Sequence, residues 1–332
     1  MSSAKRGRPT LIDVAREAGV SKALVSIVMR GVPGASDETR ERVLRIADEM
    51  GYVPDQRARK LRQSSSKLLG VTFELREPFH GDLVEEMYRV AADSDFDVVI
   101  SAVAPSRPES AAVQTVVRER CEAAILLGSR MPDADLTALA RRLPVLVVAR
   151  AAEVDGVGYI RSDDTAGVAQ AVDHLVEQGH RAIAHVDGGA APGADDRRVG
   201  FLAAMARHGV AEPRVVAGGL GQIDGARAMR ELLADATRPT AVIAFNDECA
   251  TGVIDSTIRA GLSVPQDLSV VGYDDARLAS SAAVPLTTVS QDAGEMARDA
   301  VIGALAMING GAPPAIVRRP HLVVRETTAP PR

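Results

Sequence analysis

The sequence predicts an α/β protein in two parts: a small all-α head, then a large body of two doubly wound α/β subdomains. Three observations lead there. Charge is uneven along the 332 residues: positions 1–68 hold 14 Lys plus Arg against 8 Asp plus Glu, a net of +6, and the remainder holds 25 against 36, a net of −11. Apolar residues recur at helical spacing in the first fifty positions, whereas from Leu68 onward short apolar runs alternate with helical periods. Between the two lies Gln63-Ser64-Ser65-Ser66-Lys67, a flexible linker by composition. These features divide the chain into a head at 1–62, a linker at 63–67 and a body at 68–332.

In the head, positions 1–9 are polar and basic. Thr10 can cap a first helix, with Asp13 answering three residues on; Leu11, Val14, Ala15 and Ala18 form its inward stripe and Gly19 stops it. Ser21 caps a second helix running to Arg30 and ending at Gly31. Ser36 caps a third, with Val43, Ile46, Ala47 and Met50 facing inward and Gly51 closing it. After Pro54, Asp55 can cap a short hinge helix at 56–62.

The body's apolar runs fall at 68–75, 97–103, 123–128, 145–149, 182–186, 241–245 and 269–273, and helical patterns such as 82–92, 165–178 and 248–261 separate them. Strands alternating with helices predict βαβ units, hence parallel sheets covered on both faces. Seven such runs exceed one small sheet. Two subdomains with a cleft between them fit, because ligands bind where strand carboxyl ends converge.

Several classes are excluded. Cys121 and Cys249 are far apart and sit in apolar runs, so they read as free thiols of a reducing compartment and not as a zinc pair. Asp13, Arg16 and Glu17 interrupt any secretory apolar core, and no run approaches a membrane span. A cytoplasmic protein without a membrane is expected. His174, His180 and His185 span a helix, a loop and a strand and would not converge on a metal. The Gly-rich stretch 188–193 lacks dinucleotide and P-loop spacing and reads as a cleft loop. Neither a metal nor a cofactor is expected.

The first two helices and their Gly turn form a helix-turn-helix, whose second helix enters the major groove of duplex DNA. Helical spacing turns Val25 and Val28 inward and places Lys22, Ala23, Ser26, Ile27 and Arg30 on the opposite, exposed face. Lys22 and Ser26 can hydrogen-bond to base edges or phosphates; Ala23 and Ile27 can meet thymine methyls. A basic head on an acidic body confines the polyanion to the head.

Residues 10–70, through TLIDVAREAGVSKALVSIVMRG, SDETRERVLRIADEMGYVPDQRARKL and LLGV, resemble the head of the lactose and galactose repressor family. The resemblance implies a repressor, a homodimer on a pseudo-palindromic operator, whose hinge helix folds only on DNA. It also implies that Leu61 wedges into the minor groove while Ala58 packs the paired helices, with Arg57 and its neighbours against phosphates. An isolated two-turn helix is unstable in water, which agrees. Leu24, Ile27 and Arg30 stand where the family usually carries Thr, Arg and Asn, and Asp55 replaces Asn, so operator sequence does not carry over.

The resemblance continues through Phe79, EQGHRAIAHV around His180, RRVGF at Arg197, Asn246-Asp247, Gly272-Tyr273-Asp274-Asp275, PLTTV and LVVRE. It implies a periplasmic-binding-protein-like body whose cleft binds a small effector, a sugar or sugar derivative. Phe79, Arg197, Asp247 and Asp274 then line the cleft, with Gln291 on a crossing segment. Asp247 has the alternative of capping the following helix. Arg150 either reaches the cleft or pairs with a surface carboxylate, and Asp275 is structural. Ala149 and Leu220 depart from relatives that carry Asp and an aromatic there.

Two other readings compete. A free solute carrier conflicts with the helix-turn-helix head, and an enzyme would need a nucleophile with a positioned base, which the sequence does not offer. No heptads follow Arg325, so a coiled-coil tetramer is not expected.

Overall fold

The computed structural model describes residues 9–29, 31–52, 65–210, 213–235 and 237–332. Contacts divide the chain into two units, Met1–Ser66 and Lys67–Arg332.

In the first unit α1 is Leu11–Glu17, α2 is Lys22–Met29 and α3 is Asp37–Glu49. Their caps are the expected ones. Thr10 Oγ1 accepts from the Asp13 amide, while the Thr10 amide donates to Asp13 Oδ2 at 2.9 Å. Ser21 Oγ accepts from the Leu24 amide at 3.1 Å, and Ser36 Oγ from the Thr39 amide at 3.3 Å. Gly19 ends α1 at φ +64°, a left-handed turn in which the Val20 amide reaches back to the Ala15 carbonyl at 3.0 Å. The core joins Val14, Ala15 and Ala18 to Val25, Val28, Val43, Ile46 and Ala47, with Leu11 and Met50 packed against it. The inward stripes expected of all three helices meet there.

The body holds two lobes, each with one six-stranded sheet. In the first, β1 (Leu68–Glu74), β2 (Asp97–Val103), β3 (Ala123–Leu127), β4 (Val145–Val148), β5 (Val157–Ser162) and β11 (Ala315–Arg318) lie in the order β2-β1-β3-β4-β5-β11. All these pairings are parallel. Helices α4 (Pro78–Ala92) and α12 (Ala293–Ile308) cover one face, and α5 (Glu109–Arg118) and α6 (Asp133–Ala140) the other.

The second lobe orders β7 (Arg214–Ala217), β6 (Ile183–Asp187), β8 (Ala241–Ala244), β9 (Ser269–Asp274), β10 (Thr287–Ser290) and β12 (His321–Val323); only β12 runs antiparallel. Its faces are covered by α7 (Asp164–Glu177) with α8 (Ala194–Arg207), and by α9 (Gln222–Ala234) with α10 (Asp247–Arg259); α11 is Arg277–Ser281. The 2-1-3-4-5 order of both lobes is that of a doubly wound sheet.

Every strand expected from a continuous apolar run is present. Five others escaped the sequence reading; one is β10, the four-residue TTVS. β5 alternates (VGYIRS), β7 is four residues at a sheet edge, and β11 and β12 are short edge strands with half-exposed side chains. Between the lobes the chain passes three times, at 163, at 291–292 and at 319–320. The first and third passages are tied, since the Asp163 amide donates to the Arg318 carbonyl at 2.8 Å.

No helix among the described residues is long and apolar enough to cross a membrane.

Candidate functional site

In the head, Ser21, Lys22 and Ala23 open α2 with exposed side chains, while Ser26 is half-buried. Ile27 corrects the expectation of full exposure. It is half-buried because the loop before α3 folds back on it: a Cβ on Gly34 would come within 3.3 Å of Ile27 Cγ2. Thr10 spends its side chain on the capping box. Arg30, Arg57, Ala58 and Leu61, with the hinge helix and its Asp55 cap, lie outside the described residues.

In the body, the carboxyl ends of both sheets enclose a pocket with about 670 Å³ of empty space, part of it open to solvent. From the first lobe come Glu74, Glu77, Phe79, His80, Leu127 and Ala149. The second contributes Pro192 of the Gly-rich loop, Arg197, Leu220, Phe245, Asp274 and the crossing residue Gln291. The pocket thus collects four of the six candidates: Phe79, Arg197, Asp274 and Gln291.

Arg197 is the charged centre of the wall. It is 5% exposed, and its Nε donates to Asp164 Oδ1 at 2.9 Å while Nη1 donates to the Phe245 carbonyl at 2.7 Å. Nη2 stands 3.6 Å from Asp274 Oδ1. The guanidinium carbon lies 3.7 Å from the Tyr273 ring centroid and 4.6 Å from that of Phe245. Burial disfavours its charge, but Asp164 and Asp274 outweigh burial and hold its pKa above the ordinary value. A planar cation stacked on rings and forked to acceptors is fixed in place before any ligand arrives.

Asp274 ends β9 with φ +108°, and Asp275 follows at φ +55°. Two non-glycine residues in that region cost backbone strain, which points Asp274 at the pocket and Asp275 at Arg325, 2.6 Å away. Gln291 Nε2 donates to Asp274 Oδ1 at 2.7 Å. Burial raises the Asp274 pKa, with Arg197 and Gln291 opposing.

Two candidates are corrected. Asp247 is buried away from the pocket, where Oδ2 accepts from the Ala276 amide at 2.8 Å and Oδ1 from the Thr288 hydroxyl at 2.5 Å. The cap of α10 falls instead to Asn246, whose Oδ1 accepts from the Cys249 amide at 2.8 Å. Arg150 does not line the pocket either. The chain turns at Ala149 (φ +63°), and the Arg150 guanidinium folds onto the Ser129 carbonyl (2.8 Å), the Met131 carbonyl (3.1 Å) and Asp133 (3.4 Å).

Glu77, His80 and Asp164 were missed by the sequence reading. Glu77 precedes Pro78 at the start of α4, a place that gives no hint of burial. Burial first, then the charges of Asp274, Glu248 and Glu74, push its pKa up to about 8. His80 is buried and accepts from the Glu74 amide at Nδ1 (3.1 Å); burial pushes its pKa down to about 4, so it is neutral. Asp164 had one available signal, a second Asp directly after a strand, where the first already caps the helix.

The other histidines hold the fold. His180 bridges Thr240, Ser269 and the Ala329 carbonyl, His174 meets Thr328, and His185 meets the Ile243 carbonyl. Among the described residues no three His, Cys, Asp or Glu side chains gather to hold a metal.

Residues 10–55 match bacterial regulatory proteins of the lacI family, and residues 172–328 match a periplasmic binding protein-like domain. The HTH-type transcriptional regulator GalR of Escherichia coli K12 is 32% identical over 97% of this chain and 96% of its own. Among solved structures, a LacI transcriptional regulator from a Rhodococcus species is 58% identical, covering 80% of this chain and all of that one, with a TM-score of 0.77. The lac repressor dimer bound to operator and the anti-inducer ONPF is 29% identical over 97% of this chain and all of that one, with a TM-score of 0.81. With identity at this level running through both head and body, the chain belongs to the lacI family of bacterial DNA-binding transcription regulators.

Proposed function

We propose that this regulator is a cytoplasmic repressor that binds a pseudo-palindromic operator as a homodimer, under control of a small sugar-like effector held between its lobes. The observation that carries the proposal is the pocket at the carboxyl ends of both sheets, with Arg197 fixed in its wall. A ligand filling it touches both lobes and biases their relative pose to the extent that it binds one pose more tightly. Phe79, Arg197, Asp274 and Gln291 are the contacts we assign to it; Asp247 and Arg150 support the walls.

For the head we assign Ser21, Lys22, Ala23, Ser26 and Ile27 to the major groove, with Thr10 and Arg30 flanking them. We assign the hinge at 56–62 to the minor groove, through Arg57, Ala58 and the Leu61 wedge. The domain limits that go with this reading are 1–62, 63–67 and 68–332. The lac repressor dimer, solved on operator with ONPF, supplies the precedent for one protein holding both ligands. Relatives of this chain are regulators, and it is not an enzyme.

Linkage supplies the test. An effector found by thermal-shift screening is titrated by calorimetry into free protein and into the protein–operator complex. The two affinities differ by about 5-fold or more, the usual scale of allosteric coupling. Equal affinities break the control mechanism.

A further inference from the structure

Carboxylates outnumber guanidiniums on the pocket wall: Glu74, Glu77, Glu109 and Asp274 against Arg130 and Arg197. Arg197 is already committed to Asp164, Asp274 and the Phe245 carbonyl. Arg130 is exposed, and the contact it makes with Glu109 comes from its backbone amide, at 2.9 Å.

Two of the carboxylates come from opposite lobes, Glu77 at the start of α4 and Asp274 at the end of β9. Asp274 is about nine-tenths buried, and both Gln291 and Arg197 approach its Oδ1. Among the described residues its Oδ2 makes no hydrogen bond. Among the described residues Glu77 has one long hydrogen bond, from Asn246 Nδ2 at 3.5 Å. Burial first, then the charges of Asp274, Glu248 and Glu74, push its pKa up to about 8 with Arg197 opposing, and an ammonium beside it draws it back to the ionised form. An anionic ligand would add negative charge to this wall, whereas an ammonium brings three donors to acceptors that have room for them.

On the reading of this pocket as the effector site, we infer that the effector is a small hydroxylated amine whose ammonium sits between Glu77 and Asp274. Phosphorylated and carboxylated compounds are then rejected. Closing the lobes brings the two carboxylates onto one cation, so the positive charge itself couples ligand to lobe pose.

The test uses full-length protein and matched probes: D-glucosamine, D-galactosamine and D-mannosamine, their parent hexoses, and the hexose 6-phosphates. Calorimetry gives the affinities. At least one amine binds about 10-fold or more tighter than its parent hexose, as a charge-assisted hydrogen bond allows, and no 6-phosphate binds comparably. In Glu77→Gln the amine-to-parent ratio falls about 10-fold while parent binding persists. A parent hexose or a phosphate binding as tightly as the amine overturns the charge assignment and leaves the effector site standing. A ratio unchanged in Glu77→Gln overturns the role of Glu77. If no probe of any class binds, the sugar-like reading of the pocket falls together with this inference.

Discussion

The two lobes share a strand order, yet they give the pocket different chemistry. The second lobe contributes a buried charge array, Arg197 between Asp164 and Asp274, cross-braced by Gln291 and the Phe245 carbonyl. The first lobe contributes apolar surface, a neutral His80, the carboxylates Glu74, Glu77 and Glu109, and the exposed Arg130. Their helix layers differ too. In the second lobe, backbones approach so closely that a Cβ on Gly252 would stand 1.9 Å from the Gln222 carbonyl oxygen, and one on Gly225 would stand 2.0 Å from that of Cys249. The first lobe packs α4 on α12 through larger side chains such as Leu83, Met87, Met296 and Val301. One lobe fixes a buried cation in the pocket wall, and the other lines the pocket with apolar side chains and less buried charges. Identical topology leaves the chemistry free.

The contrast can be broken in three ways. The largest effect belongs to Arg197→Ala, which leaves Asp164 and Asp274 buried without their cation. We expect a loss of about 3–5 kcal/mol in urea denaturation. A loss below about 1 kcal/mol would show that the array is not the frame of the second lobe. Next comes a glycine pair. Gly252→Ala costs about 1–3 kcal/mol through the clash with α9, whereas Gly81→Ala on α4, where a Cβ meets nothing within 4 Å, stabilises by about 0.4–1 kcal/mol. Equal effects at both sites would erase the packing difference.

The third effect is pH-dependent. Because the Glu77 pKa is raised to about 8 in the fold, its contribution is fully present below the unfolded carboxylate value and is lost as pH rises through 8. Glu77→Gln therefore matches the native protein near pH 4 and is the more stable of the two by roughly 2 kcal/mol at pH 9, discounted for partial solvent access. A gap that is constant with pH would mean that Glu77 stays ionised in the fold.

How much of this was legible in the sequence depends on the range of the signals. The head's caps and stripes are local, read within four residues, and the described parts of all three helices match them. Central strands were legible because burial on both faces demands unbroken apolar runs, as in AAILL and VLVV. β5 was not, because Arg161 and Gly158 interrupt its run.

In the pocket, Phe79, Arg197, Asp274 and Gln291 were found by resemblance and not by spacing. Arg150 and Asp247 misled because a charged residue after a strand looks the same in sequence whether it faces a cleft or a neighbouring loop. The direction turns on backbone angles, +63° at Ala149 and +108° at Asp274, that residue identity does not reveal. Glu77 was hidden for a related reason: its hydrogen-bond partner Asn246 and the neighbouring charge of Asp274 lie far along the chain.

The three passages of the chain between lobes bear on how the protein comes to exist. Neither lobe is a continuous stretch of sequence. Met296, Ala297, Ala300, Val301, Ala304 and Met307 of α12 complete the core of the first lobe, and β11 closes its edge. A ribosome must therefore synthesise nearly the whole polypeptide before the earlier-made lobe can close around its interior. Until α12 emerges, the second lobe's central strands are already translated while the first still exposes the part of one apolar face that α4 leaves uncovered.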